Sequence, residues 1–321
     1  MSIILTVCFG KWRIEMNKYK GIIFAILSSV AFGLMPIFAK VAYNNGSNTS
    51  TVLSFRFLVA AIILFIFGII TKTSFKVSKK QLITLILIGS LGYTFTTETL
   101  FLSYRYMSVG LATTIHFIYP AFVCIFSFLV FKEKLSKNKV GALILSAVGV
   151  YLLVGVSNSG INLKGVGLAL VSGVSYSCCI LSMNNKAIKT LDNKVMTFYF
   201  SLFAGSTITL LSYFNGGLTL HFNRELIFSY FGLSVVSTII ATILLIKAVK
   251  VIGATSASIL GTFEPIVSLI LGVALFNESI TSIMIFGTIL ILFSVIIISM
   301  ESKDKKENKG KVNLKEENAF L

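Results

Sequence analysis

Six side chains able to bind polar groups or exchange protons interrupt apolar stretches of this chain: Arg56, Tyr93, Glu98, His116, Tyr119 and Glu264. An ionisable group inside an apolar segment costs roughly a few kcal/mol, so each needs a partner or a task. Glu264 sits beside Pro265, about eleven residues or about 16 Å into its apolar run and thus near a bilayer centre. It is either a proton or substrate-amine site facing a cavity, or a carboxylate bonded to a neighbouring helix at a proline kink. His116 lies four residues before Pro120, on the same helix face. It is either a hydrogen-bonded packing residue or a titrating group in a proton path. Arg56 and Glu98 fall at similar depths near the ends of their runs, which predicts a mutual salt bridge or, alternatively, an ion-pair gate.

Lys40 is expected to snorkel to the interface, with a substrate-carboxylate role as the alternative, and Arg105 is expected to anchor at the boundary. Tyr93, Phe95, Tyr104, Phe117 and Tyr176 could form an aromatic wall for an amphipathic metabolite, although 28 Phe and 11 Tyr leave packing as the simpler role for most aromatics. Gly89, Gly92, Gly167 and Gly173 are expected to allow close helix contact. Glu133 and Glu278 lie past the ends of apolar runs and are expected to anchor loops or pair with nearby basic residues. Cys8, Cys124, Cys178 and Cys179 lack metal-ligand spacing, and neither a metal nor a cofactor is expected.

The elements that position these residues are membrane spans. Hydrophobic residues make up 55% of the 321, charged residues only 12%, and the mean hydropathy is +0.90. Soluble domains run at about 25% charged. A net charge of +16 suggests nucleic acid, but the basic residues punctuate apolar segments, which makes them topology signals and removes nucleic acid as a partner. A spanning helix needs about 20 apolar residues. Ten runs qualify: Gly21–Ala42, Val52–Ile70, Leu82–Leu102, Leu111–Phe131, Val140–Val156, Gly165–Leu181, Val195–Tyr213, Leu226–Ile246, Ala254–Phe276 and Ser282–Met300. With the N-terminus inside, 23 of the 28 lysines and arginines fall in inner segments, and only Arg105, Lys164 and Arg224 in outer loops. Both termini are therefore expected in the cytoplasm and the chain in the cell membrane. Residues 1–19 form an N-terminal segment in which Met16 is an alternative start, and residues 301–321 a basic tail.

Two stretches repeat one pattern at an offset of 145: ATTIHFIYPAFVCIFSFLVFKEKLS from Ala112 and ASILGTFEPIVSLILGVALFNESIT from Ala257. Pro120 matches Pro265, Glu133 matches Glu278, and Tyr119 matches Glu264. The first loop is basic and the second lacks lysine, as opposite orientation requires. Five spans per copy is an odd number, so the copies, residues 20–157 and 163–300, enter the membrane inverted. Inverted-repeat carriers bind substrate near the midplane at the repeat interface, which makes Tyr119 and Glu264 the first candidates for that site.

The sequence resembles the EamA branch of the drug/metabolite transporter superfamily over about residues 20 to 300. The resemblance rests on the ten spans, the five-plus-five repeat and SFRFLVAAIILF in the second span. It also rests on A-x-x-I/L-x-x-x-x-P followed by F-x-E-x-L/I-S/T in both halves. It implies an all-α polytopic protein in which two inverted five-helix repeats enclose a cavity. It further implies secondary transport of metabolites, amino acids or drugs, often as export. Small-molecule substrate, lipid and a candidate proton are the expected partners; monomer and homodimer both remain open. An intramembrane enzyme lacks its residues here. His116 and His221 are far apart, Asp192 and Asp304 lie in a loop and the tail, and HExxH and GxSxG are absent. A receptor or scaffold gains nothing obvious from an inverted duplication.

Overall fold

Apolar runs that must satisfy every backbone group internally have the helix as their solution in lipid. The computed structural model of the chain describes residues 19–131, 136–155, 162–183, 187–188, 190–214, 216–261, 263–278, 281–294 and 296–297. Outside the described residues lie the N-terminal segment, Lys132, Glu133 and Lys134, residues 157–161 of the connection between halves, Lys186, Lys189 and the basic tail. The described residues are almost entirely helical and contain no strand.

Among the described residues, six helices are long and apolar enough to cross a membrane: α1 (Tyr19–Asn44), α2 (Thr49–Ile70), α3 (Lys79–Ser103), and three more in the second half. Two short helices follow α3, α4 (Val109–His116) and α5 (Tyr119–Phe131), and then α6 (Lys137–Gly155). The second half holds α7 (Leu163–Met183), α8 (Asn193–Phe214), α9 (Arg224–Ala248), α10 (Phe263–Phe276) and α11 (Ser282–Ser294). The starts carry the capping chemistry their residues allow. Asn48 accepts from Thr51 N (2.8 Å), Asn223 accepts from Leu226 N (2.7 Å), and Ser78 with Gln81 closes a capping box.

Three features depart from ten uniform rods. The predicted fourth span is broken by a turn at Phe117 and Ile118, so Tyr119 and Pro120 open α5 instead of sitting mid-helix. Glu264 and Pro265 likewise occupy the first turn of α10. Proline is tolerated there because its missing N–H has no intrahelical acceptor to lose. The connection expected after the eighth span is itself helical, since helical backbone runs from Ala241 to Gly261. Lys247 to Gly253 contains no proline to stop it. Finally, α3 and α9 each contain a π turn, at Leu87–Tyr93 and Val235–Ile240.

Helices of the first half pair with helices of the second. Along α2 and α8, Gly205 backs onto Leu58, and Thr209 Oγ1 donates to Ser54 Oγ (3.0 Å). Between α1 and α9, Ser28 Oγ donates to the Ala241 carbonyl (2.8 Å) and Ser237 Oγ to the Ala31 carbonyl (2.9 Å). Between α3 and α7, Thr96 Oγ1 donates to Ser175 Oγ (2.9 Å). Gly110 of α4 lies against Leu269 of α10. Small residues permit these approaches and hydroxyls join the backbones, the usual means of helix association in lipid. Gly89, Gly92 and Gly173 serve as expected, whereas Gly167 faces open space. Outward faces carry exposed Ile62, Ile66, Leu91, Leu210, Ile227 and Phe293, which suit contact with lipid.

The connection after α1 meets the connection after α8: Asn48 Nδ2 donates to the Gly217 carbonyl (3.0 Å), and His221 Nε2 lies 2.7 Å from the Asn45 carbonyl. The connection after α2 meets the one after α7, where Gln81 Nε2 donates to the Ala187 carbonyl (3.0 Å).

Candidate functional site

Arg56 is 3% exposed on α2, and its surroundings define the polar centre of the bundle. Its Nε donates to Thr238 Oγ1 (2.8 Å) in the π turn of α9. Thr238 can accept because its own proton goes to the Leu233 carbonyl (2.9 Å), five residues back. A π turn brings that carbonyl within reach and is a frequent device at functional sites. The guanidinium carbon lies 4.8 Å from the Phe57 ring centre and 5.4 Å from that of Phe101, so aromatic faces share its charge. Among the described residues, neither Arg56 Nη1 nor the Tyr104 hydroxyl, both buried, has a partner in full hydrogen-bond geometry, although Thr113 lies beside the Tyr104 hydroxyl. Each such group costs about 1–3 kcal/mol until it finds one.

Glu264, Tyr93, Tyr104 and Tyr176 all lie within electrostatic range of Arg56. Glu264 is half-buried and has no hydrogen-bond partner among the described residues. Its carboxylate shares the site with Arg56 without forming an ion pair, because Lys40–Glu278 is the sole pair within 4 Å among the described residues. Tyr119 packs edge-on to Tyr176 (4.8 Å between ring centres) and lies 5.2 Å from Phe117 and 5.8 Å from His116. Its hydroxyl reaches Gly261, at the end of the helical run that precedes α10. Tyr93, in the π turn of α3, stacks on Phe200 at 5.3 Å.

His116 is 5% exposed, with Nδ1 2.9 Å from Ser172 Oγ. The Ser172 hydroxyl donates to the Thr96 carbonyl (2.8 Å), so Nδ1 must carry the proton and donate to Ser172. Gly173 keeps α7 close, since a Cβ there would sit 3.0 Å from the His116 carbonyl oxygen. Five of the six candidates, Arg56, Tyr93, His116, Tyr119 and Glu264, thus gather at or beside one centre.

Glu98 does not join them. The expected Arg56–Glu98 bridge is absent, because Arg56 turns to Thr238 while Glu98, half-buried, lies within range of Tyr43. A π turn inserts a residue and rotates the rest of the helix by about 100°, which takes Glu98 off the face its depth suggested. Glu278 pairs with a basic residue, as expected: the Lys40 Nζ lies 3.2 Å from Glu278 Oε1 and 5.6 Å from the Phe276 ring centre. Glu278 Oε1 also accepts from Val109 N (3.1 Å), so one carboxylate ties α1, the start of α4 and the end of α10 together. Beside it lies a cavity of about 10 Å³, room for one water, lined by Ser108, Met284 and Thr288 among others. Phe95, expected in the aromatic wall, is 54% exposed and faces outward. Thr238 and Ser172 were not legible as site residues, since a lone hydroxyl in an apolar run reads as ordinary packing.

Comparison with known proteins fits this geometry. The profile of the EamA-like transporter family matches twice, over residues 19–155 and 163–300. The inner membrane transporter YicL of Salmonella typhimurium is 24% identical over 289 residues, covering 88% of this chain and 96% of its own length. A transporter of Clostridium kluyveri is 25% identical over 90% of this chain and 95% of its own. Human solute carrier family 35 member G1 is 29% identical over 56% of this chain and 52% of its own. A solved crystal structure with 12% identity superimposes with a TM-score of 0.65 over 87% of this chain and 98% of its own, a likeness of fold. Two family matches that together span most of the chain, with a polar centre walled by both matched regions, identify it as a multi-pass membrane transporter of the EamA-like family.

Proposed function

We propose that the protein is a secondary carrier of ten passes in two inverted repeats, moving small metabolites, amino acids or drug-like compounds out of the cell by alternating access. The observation that carries this reading is the polar centre. Arg56 and Tyr93 from one half and Tyr176 and Glu264 from the other converge inside an apolar bundle. Such groups are costly in lipid and earn retention by handling a polar cargo. The pairing of helices supports the repeat: α2 with α8 is its own counterpart, while α1 with α9 exchanges with α7 with α3. The π turns fall in the counterparts α3 and α9. Both termini lie in the cytoplasm on this reading, supported by the lysine distribution and by the two pairs of meeting connections.

Glu264 is the proton carrier in this proposal, because no hydrogen-bond partner among the described residues fixes its charge state. The Lys40–Glu278–Val109 junction holds the bundle closed at the end assigned to the outside, and breaks when that end opens. Purified protein in proteoliposomes tests the proposal by flux of a metabolite panel with and without an imposed pH gradient. Saturable flux that the gradient accelerates is expected. Flux that never saturates would mark a channel and defeat the carrier reading, and saturable flux indifferent to the gradient would remove the proton.

A further inference from the structure

Two buried donors near the centre have no hydrogen-bond partner among the described residues, and they lie within electrostatic range of each other. Arg56 Nη1 and the Tyr104 hydroxyl both lack a hydrogen bond. Phe101 lies against both, 5.4 Å from the guanidinium carbon and 5.3 Å from the Tyr104 ring. The guanidinium is held from behind by Thr238 and flanked by Phe57, so it cannot swing to another acceptor without losing both. A protein rarely buries two such donors side by side unless a third group satisfies them at some stage of its cycle.

We propose that Arg56 Nη1 and the Tyr104 hydroxyl bind a carboxylate of the transported substrate, which makes the site selective for carboxylate-bearing metabolites. The proposal rests on the transporter reading above and adds its substrate class. A carboxylate offers two acceptor oxygens in one plane, one for each donor, and an arginine donor strengthens the bond by its charge. A phosphate dianion fits worse. One guanidinium already in the field of Glu264 leaves a second negative charge uncompensated in a low-dielectric site. The Glu264 carboxylate lies within electrostatic range of Arg56 without forming an ion pair with it among the described residues. A substrate ammonium would meet Glu264, and its apolar body would meet Tyr93 and Tyr176.

The test uses matched pairs that differ only in the anionic group: benzoate against benzamide, leucine against leucinamide, with phenylphosphonate as the dianion. Affinity is read from ligand-induced shifts in melting temperature of the detergent-purified protein. The acids are expected to bind about tenfold or more tightly than their amides, as a lost charge-assisted bond implies. Tyr104→Phe, which keeps shape and folding, should reduce that preference several-fold. Arg56→Gln should abolish it, and Arg56→Lys should restore only part, since an ammonium lacks the planar fork. Equal affinity for acid and amide in the wild-type protein overturns the assignment, as does an acid preference that survives both Tyr104→Phe and Arg56→Gln. Phenylphosphonate binding more tightly than benzoate overturns the choice of carboxylate. Saturable proteoliposome flux of amides without acid preference sinks this inference alone, whereas absence of saturable flux for every compound sinks the carrier reading with it.

Discussion

The two halves share a scaffold but place different chemistry at equivalent positions. At the offset of 145, Arg56 of α2 corresponds to Ser201 of α8, and Tyr119 of α5 to Glu264 of α10. The π turns keep their likeness: Thr94 Oγ1 donates to the Gly89 carbonyl (3.3 Å) as Thr238 does to Leu233. The side chains aimed at the centre are among those that have diverged. The first half contributes a cation and a phenol, and the second a carboxylate and a hydroxyl. Symmetric packing therefore builds the bundle, and one charge from each half builds an asymmetric site. Tyr119 is fixed among His116, Phe117 and Tyr176, whereas Glu264 has no hydrogen bond to hold it among the described residues.

That contrast is broken most severely at Glu264. If its carboxylate carries the proton, Glu264→Gln should lower pH-driven flux about tenfold or more and flatten its pH dependence, while the melting temperature of the unliganded protein stays close to wild type. An unchanged pH profile would reduce Glu264 to a structural residue. The junction of Lys40 with Glu278 should show the next effect. These side chains are 26% and 10% exposed, so screening limits the pair to about 1 kcal/mol. Lys40→Gln should label a thiol introduced by Met284→Cys about fivefold faster, and an unaltered labelling rate would deny the junction a role in closure.

Much of this was legible in the sequence, and the failures share a cause. Apolar length, lysine placement and the Pro120–Pro265 pattern are local or periodic signals, so helices, family and the candidates Arg56, His116, Tyr119 and Glu264 could be read directly. Partners could not. Depth in the membrane suggested Arg56 with Glu98, but a helix face is set by rotation, and the π turn of α3 changes that rotation without any proline or glycine signal unique to it. Lys40 finds Glu278 across 238 positions, a contact that only the packing of α1 on α10 creates. Broken spans were legible only as prolines: the pattern predicted kinks in continuous helices, whereas Pro120 and Pro265 sit where helices begin.

Tyr119 offers the next smaller effect and a direct counterpart to Glu264. Tyr119→Phe keeps the ring contacts and removes one hydroxyl, worth about 1 kcal/mol, so substrate affinity in the flux assay should weaken about fivefold with the pH profile intact. A changed pH profile would mean that the two halves share the proton and would erase the contrast between them.

Ser172 tests whether the first half is the fixed wall that this contrast requires. Its hydroxyl donates to the Thr96 carbonyl and accepts from His116 Nδ1, joining α3, α4 and α7 at one buried point. Ser172→Ala strands the buried His116 Nδ1–H, whereas the Thr96 carbonyl keeps Thr99 Oγ1 (3.2 Å), at a cost of about 1–2 kcal/mol to stability. The loss should appear in the denaturation midpoint of the detergent-solubilised protein. Transport by the surviving folded fraction should keep its pH dependence, because Glu264 is untouched. If stability held but the pH profile moved, His116 would be part of the proton path and the first half would be a working partner of Glu264.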